Sequence, residues 1–386
     1  MEAFLLAAAK RETRAASDRD ALKRLAGAVA RMGGRFTVAR DAADGRDYFR
    51  SARDAIAYAL YFGPLAHAHL SQILRELPPP SAPPSAEPFR ILDLGAGSGQ
   101  AGFAAAAWAA AAGAKVRLEA CDRSRVALRL LRETFGALRP VAFPLAQVET
   151  HPCDLIGEGG REPVHALVVA HFTANELPRE RRAVFVARAA ETLSPGGRLV
   201  LCEPYLHADP GWMRETRAAL LAAGLVLRAP CPHAKACPLT APCHAVRRLV
   251  PSRARQILST ALGRSAATET AYSFLVAERP RRGPDGAPAA APARAAELNY
   301  RNTCLDYFYH EQESSSMSFA GRQLLGEDLI AGAVTIPYTL AGLSDTDVVV
   351  QCVAAAASQQ TITESSSVST TGVSYISAVL HSGATD

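Results

Sequence analysis

The stretch Phe89-Arg-Ile-Leu-Asp-Leu-Gly-Ala-Gly-Ser-Gly-Gln-Ala-Gly102 decides the fold. Its apolar residues Ile91, Leu92 and Leu94 predict a short buried strand, broken by Gly95, Gly97 and Gly99. The Ala-rich run from Gly102 to Ala112 predicts the helix that follows. Glycines at such a junction let the backbone turn tightly and lie against a ligand, because no Cβ intrudes. The helix N-terminus beyond them offers unpaired N–H groups to polar or anionic ligand atoms. The next strand, Lys115–Cys121, ends in Asp122. An acidic side chain about 20 residues beyond the glycine turn, at the end of the second strand, is placed to accept hydrogen bonds from ribose hydroxyls.

The spacing is G-x-G-x-G, with Asp93 two residues before the first glycine. Together with Asp122 this resembles motif I of the class I S-adenosylmethionine (SAM)-dependent methyltransferases. The resemblance implies an α/β protein built on a Rossmann-like class I methyltransferase sheet. It also implies a SAM site formed by Asp93, Gly95, Ala96, Gly97, Gly99 and Asp122. Asp93 would approach the methionine ammonium and Asp122 the ribose.

Upstream, residues 3–33 read as one or two helices, with Leu5, Leu6, Leu22, Leu25 and Val29 on the apolar face and Lys10, Arg11, Arg14, Lys23, Arg24 and Arg31 on the basic one. Residues 46–77 read as a further helical region. Pro78-Pro-Pro-Ser-Ala-Pro-Pro84 cannot continue a helix and predicts a stiff connector. Residues 1–80 are therefore expected to be a helical cap before a SAM-binding domain at 86–280.

Downstream, strand and helix patterns alternate to about residue 228, which predicts a mainly parallel sheet with helices on both faces. Arg123–Phe135 is the expected second helix and Val141–Val148 the third strand. Asp154, just beyond it, is within reach of an adenine amino group or caps a loop. Val164–Ala170 is the expected fourth strand and runs straight into His171-Phe-Thr-Ala-Asn-Glu-Leu-Pro178. Residues just past strand C-termini line the ligand crevice of an open parallel sheet, so His171, Asn175 and Glu176 are the candidate catalytic groups. Glu176 has a second reading, as a cap of the following helix. The Asp/Asn-Pro-Pro-aromatic signature of base N-methyltransferases is missing here. A helix at Arg181–Leu193, a turn at Ser194-Pro-Gly-Gly197 and a strand at Arg198–Cys202 follow, and Trp212–Ala223 and Val226–Arg228 complete the expected pattern.

A second informative stretch is Ala229-Pro-Cys-Pro-His-Ala-Lys-Ala-Cys-Pro-Leu-Thr-Ala-Pro-Cys-His244. Cys231, Cys237 and Cys243 recur at six-residue intervals in a loop too rich in proline for helix or strand. Thiolates on such a loop suit soft metal ions. Five intervening residues exceed the two to four usual for zinc, and three cysteines with a distant fourth would suit a [4Fe–4S] cluster. Three reduced cysteines without metal are the other reading.

Leu92-Asp-Leu-Gly-Ala-Gly97, Asn175-Glu-Leu-Pro178, Cys231-Pro-His233, Cys237-Pro-Leu239, Cys243-His244 and Tyr272-Ser-Phe-Leu-Val276 occur in this order. The set resembles the mitochondrial small-ribosomal-subunit methyltransferase-like family and its bacterial relatives, over roughly residues 45–280. That resemblance implies a SAM-type fold, an iron–sulfur cluster on Cys231, Cys237 and Cys243, and a role on small-subunit rRNA or in assembly of that subunit. Pro242 and Ala245 stand where the family has aromatic residues. Cys304 lies at the distance of the family's fourth cysteine, in surroundings unlike it. An incomplete set would leave His233 or His244 to complete a zinc site instead.

Residues 281–296 form a Pro/Ala linker. Residues 297–386 carry two basic and ten acidic side chains, against 40 basic and 27 acidic in 1–296. This acidic C-terminal segment carries no motif. The basic body suits a phosphate-rich partner such as RNA, or is a surface of solvated arginines. Eight cysteines without a disulfide framework, no signal-type leader and no long apolar run predict a cytoplasmic protein with no membrane span. The expected function is that of a SAM-binding, methyltransferase-like protein acting on small-subunit rRNA or in assembly of that subunit. The rivals are an assembly factor that retains the SAM pocket and a small-molecule methyltransferase with a zinc-stabilised loop.

Overall fold

The structure, a computed structural model, describes residues 1–37, 49–78, 87–155, 162–205, 211–231, 234 and 243–281, and the strands at 334–337 and 367–370. His233, Cys237, Cys304, most of the Pro-rich connector, nearly all of the 281–296 linker and most of the acidic segment lie outside the described residues. So do the apolar runs at 338–343 and 348–357.

Four helices open the chain: α1 (Glu2–Thr13), α2 (Asp18–Thr37), α3 (Ala52–Tyr61) and α4 (Gly63–Arg75). Then come β1 (Phe89–Leu94), α5 (Gln100–Ala111), β2 (Val116–Asp122), α6 (Arg125–Ala142), β3 (Ala146–Pro152) and β4 (His165–His171). A short 3-10 turn (Ala174–Glu176) leads to α7 (Arg179–Glu191), β5 (Leu193–Pro204), α8 (Trp212–Ala222) and β6 (Val226–Ala229). The last elements of this body are β7 (Ala245–Arg248), α9 (Arg253–Ala261) and β8 (Glu269–Glu278). Further on, β9 (Val334–Pro337) and β10 (Ser367–Thr370) pair antiparallel. Local chemistry sets several boundaries: the hydroxyls of Ser51, Ser124 and Ser252 accept from the N–H of Asp54, Ala127 and Arg255 and so cap α3, α6 and α9.

The sheet order is β3-β2-β1-β4-β5-β8-β6, with β7 also paired to β8. Strands β1 to β5 run parallel. β8 is antiparallel to β5, and β6 is antiparallel to β8. The order reverses at β1, between β2 and β4, and such a switch opens a crevice beyond the strand C-termini. β1 is fully buried from Ile91 to Leu94, as a central parallel strand must be.

Two apolar cores cover the faces of the sheet. One joins α4 and α5 to β1, β2 and β4 through Leu70, Leu74, Phe103, Leu118 and Val169. The other joins α7 and α8 to the sheet through Phe185, Leu193, Leu201 and Leu220. A third core is built by α1, α2 and α3 around Leu5, Leu22, Leu25 and Leu60, and it takes in Leu130 of α6 and Leu258 of α9. The N-terminal helices therefore share an interior with segments from mid-chain and from the far side of the cysteine-rich loop. Among the described residues no helix is long and apolar enough to cross a membrane.

Two boundaries differ from the sequence reading. Val141 and Ala142 belong to α6, which runs on past Pro140, and β3 begins only at Ala146. Val141 is 89% exposed, so an apolar side chain gave no guide to burial there. The Ser194-Pro-Gly-Gly197 segment is not a turn ahead of the fifth strand but a bulge within it, because Leu193 already pairs with His165. Gly196 has φ 80, and a Cβ on Gly197 would lie 2.6 Å from the carbonyl oxygen of His165.

Leu25 is wholly buried in the shared helical core. Leu25→Ala is expected to cost about 3 kcal/mol in thermal or denaturant unfolding, in a single transition that lowers the melting of the sheet as well. An early, separate melting of the N-terminal helices would contradict the shared core.

Candidate functional site

The junction of β1 and α5 is held from three sides. The N–H groups of Gly95 and Ala96 both donate to the carbonyl of Cys121, at 2.8 and 2.9 Å. The N–H of Gly97 donates to Asp122 Oδ2 at 2.8 Å, and that of Ser124 to Asp122 Oδ1 at 2.8 Å. Thr173 Oγ1 donates to the carbonyl of Leu94 at 3.0 Å, tying the loop after β4 to the loop after β1. Gly95, Gly97 and Gly99 have φ of 72, 51 and 93, the left-handed region that favours glycine.

The three glycines have different work. A Cβ on Gly95 would meet Thr173 Oγ1 at 2.4 Å, and one on Gly99 would meet Leu131 Cγ at 2.6 Å. Those two let the turn pack against protein. A Cβ on Gly97 would find only Tyr58 Cε1, at 3.9 Å. Among the described residues Gly97 is therefore the one glycine of the three where a Cβ would meet no crowding atom, with Tyr58 at van der Waals distance, while both neighbouring glycines face core.

Asp93 is 1% exposed, and its Oδ2 accepts from the N–H of Gly102 at 2.9 Å. Its Oδ1 is buried with no partner among the described residues. Burial pushes this carboxyl up to about 7, against the pull of the Gly102 N–H and with some help from Asp122. Gln100, the first residue of α5, is also buried, and its Nε2 has no partner. An acceptor and a donor left unsatisfied around one glycine turn are the mark of a place for a polar ligand. Tyr58 of α3 stands over the turn, and burial with the nearby charges of Glu176, Asp122 and Asp93 raises its phenol.

Asp154 is exposed, one residue beyond Cys153, whose N–H donates to the carbonyl of Asp122 at 3.1 Å. The loop after β3 thus runs beside the end of β2. Of the groups expected beyond β4, Glu176 is exposed and Asn175 half-buried. With its amide nitrogen turned inward, Asn175 donates to Glu203 Oε2 at 2.8 Å and to the carbonyl of Phe172 at 3.0 Å. Glu203 Oε1 accepts from the N–H of Ala174 at 2.9 Å, and Oε2 from that of Asn175 at 3.2 Å. Glu203 is fully buried, and burial pushes its carboxyl up to about 8 despite those N–H groups. It organises the loop after β4, yet in the sequence it is one acid at a strand end with nothing to mark it. Gln100 was likewise hidden, as an ordinary first residue of a helix.

His171 does not reach the crevice as a free base. It is 8% exposed, its Nε2 lies 3.1 Å from His69 Nδ1, and Phe172 stacks on it at 4.0 Å. Burial pulls its imidazole down to about 3, so it is neutral at physiological pH.

The cysteine-rich loop leaves and rejoins one sheet edge. Ala229 of β6 pairs with Val276 and Ala245 of β7 with Tyr272, four residues apart on β8. Cys231 and Cys243 lie within two residues of these ends, and both are half-buried. The Ser273 hydroxyl donates to the carbonyl of Cys243, and the His244 ring packs at a tilt on Tyr205, with centroids 4.0 Å apart. The topology brings the two ends of the loop together; Cys237, between them, lies outside the described residues.

A parallel sheet of this order with β8 reversed, and acids at the C-terminal ends of its first two strands, define a class I SAM-methyltransferase-like protein. Residues 52–297 match the model of a family described as mitochondrial small ribosomal subunit Rsm22, and the chain belongs to that family. Solved structures similar to it include phosphoethanolamine N-methyltransferase 2 of Haemonchus contortus, with 14% identity, 63% of this chain and 60% of that one covered, and a TM-score of 0.39. An O-methyltransferase family protein from Burkholderia thailandensis shares 16% identity, with 60% of each chain covered and a TM-score of 0.38. The magnesium protoporphyrin IX methyltransferase of Synechocystis shares 13% identity, with 65% of this chain and 96% of that one covered and a TM-score of 0.34. Comparison with curated proteins gives no match.

Asp93 yields a pH prediction. Its folded-state pKa lies above the unfolded value, so its contribution to stability is whole below about pH 4 and is lost as pH rises towards 7. Asp93→Asn removes that loss. The variant should gain on the wild type between pH 4 and 7, by up to about 4 kcal/mol, in paired denaturant titrations. A difference that stays level over this window would contradict the assignment.

Proposed function

We propose that this chain binds SAM at the β1–α5 turn and acts on the small ribosomal subunit through its rRNA. The observation that carries the reading is the uncrowded side of Gly97 at a turn held by the Asp122 carboxylate, together with the buried Asp93 Oδ1, which has no partner among the described residues. These residues fit the cofactor. Asp93 offers a buried acceptor for the methionine ammonium. Asp122, the last residue of β2, stands at the strand end where an acid would accept from ribose hydroxyls. Asp154, on the loop beside the end of β2, would be the residue to hold the adenine amino group. SAM supplies a methyl group on a sulfonium. The chain's part is to hold that group still and exclude water while a nucleophile of the rRNA is aligned on it.

The Rsm22 family and the basic body at 1–296, with 40 basic and 27 acidic residues, support the RNA partner. The cysteine-rich loop fits a thiolate-bound group in part, because Cys231 and Cys243 are brought to one stretch of sheet edge. We assign them, with Cys237 and Cys304, to a [4Fe–4S] cluster; zinc with His233 or His244 is the other occupant. A second functional reading, an assembly factor that keeps the SAM pocket without methylating, is favoured by one observation. His171 has its Nε2 against His69 inside the fold, and Asn175 donates its amide, which is not basic, to Glu203, so neither is a ready base.

Two experiments follow. The protein should co-sediment with the small subunit at moderate salt and be released progressively as salt rises, as phosphate contacts demand. Recovery only in ribosome-free fractions at every salt would contradict the RNA reading, and unchanged rRNA methylation in an Asp122→Ala strain would favour the assembly factor. Anaerobic purification should give a brown protein with broad visible absorbance that Cys231→Ser and Cys243→Ser lose. A colourless wild-type protein would defeat the cluster.

A further inference from the structure

A second set of metal-type donors lies inside the fold, apart from the cysteine-rich loop. His171 ends β4, and the parallel register sets it beside Cys202 of β5. His69 of α4 comes down on the pair from the helical layer. Its Nδ1, His171 Nε2 and Cys202 Sγ all lie within 4.8 Å of one another, and all three residues are buried. His69 Nδ1 and His171 Nε2 are 3.1 Å apart. In a tetrahedral zinc site with Zn–N near 2.0–2.1 Å, two nitrogens lie about 3.3 Å apart, so the two imidazoles already stand at ligand spacing.

The surroundings are those of a ligand set. The second nitrogen of His69, Nε2, is 3.2 Å from Thr270 Oγ1, the kind of outer contact that fixes the ring of a metal-bound histidine. Tyr272 stacks on His69 at 4.2 Å, and Phe172 stacks on His171 at 4.0 Å, which makes the setting aromatic and dry. Among the described residues no other group of three histidine, cysteine or acidic side chains converges in this way.

We infer that His69, His171 and Cys202 form a buried site of two imidazole nitrogens and one sulfur for a thiophilic, filled-shell cation, with Zn2+ as its ion, that pins α4 of the helical cap to the C-terminal ends of β4 and β5. On binding, the Cys202 thiol gives up its proton and the sulfur, Nδ1 of His69 and Nε2 of His171 become ligands. The inference is independent of SAM binding and of the cluster on the cysteine-rich loop. It bears on both, because β4 leads directly into the loop held by Glu203.

The test must separate this site from the loop thiolates. A full-length chain carrying Cys231→Ser, Cys237→Ser and Cys243→Ser is titrated with Co2+ and Zn2+ alone. One equivalent of Co2+ should bind, with a thiolate-to-cobalt charge-transfer band, and Zn2+ should displace it. Adding Cys202→Ala or His171→Phe should abolish that band while metal-free thermal unfolding stays cooperative, and Thr270→Val should weaken binding by about tenfold. Failure of the triple variant to bind Co2+, or a band that survives Cys202→Ala, would overturn the site. Should the triple variant not fold, Cys202→Ala in the otherwise wild-type chain decides. A fall of one equivalent in bound Co2+ supports the site, and an unchanged stoichiometry overturns it.

Discussion

Asp122 holds the turn between β1 and α5 in shape. Its two carboxylate oxygens accept the N–H groups of Gly97 and Ser124, so one side chain ties the loop after β1 to the start of the helix after β2. The turn it closes runs through three left-handed residues, and no other residue type takes that path cheaply. With the turn fixed, Gly95 packs on Thr173 and Gly99 on Leu131, and of the three only Gly97 is left uncrowded among the described residues.

The sequence made the sheet readable because the apolar runs of parallel strands are continuous and the glycine turn is local. Phe89–Leu94 and Val116–Asp122 appear where the apolar pattern puts them, and so do the acids that follow. The errors fell where local pattern and burial part company. Val141 looked like a strand residue and is the exposed end of α6, and Ser194–Gly197 looked like a turn and is a bulge stitched to His165. The site beyond β4 was legible in place but not in role. Nothing local to His171 announces His69, 102 residues away, and nothing near Asn175 announces Glu203.

The helical layer is more than a preface to the sheet. α3 brings Tyr58 to the glycine turn, and α4 brings His69 to the ends of β4 and β5. Its interior also takes in α9, which follows the cysteine-rich loop. The N-terminal helices and α9 thus pack into one interior next to the elements that carry Tyr58 and His69. The buried carboxyls of Asp93 and Glu203, both held well above their usual range, put charge-sensitive groups on either side of the crevice. Such groups gather where a ligand's own charge is meant to complete the balance.

The central claim is that the space over Gly97 belongs to SAM. Isothermal titration of the full-length protein with SAM measures this directly, with Gly97→Ala as the comparison. The account predicts one SAM per chain for the wild type, and no measurable heat for a Gly97→Ala protein that still melts cooperatively. A wild-type chain that gives no heat with SAM, or an alanine variant that binds as tightly as its parent, would contradict it.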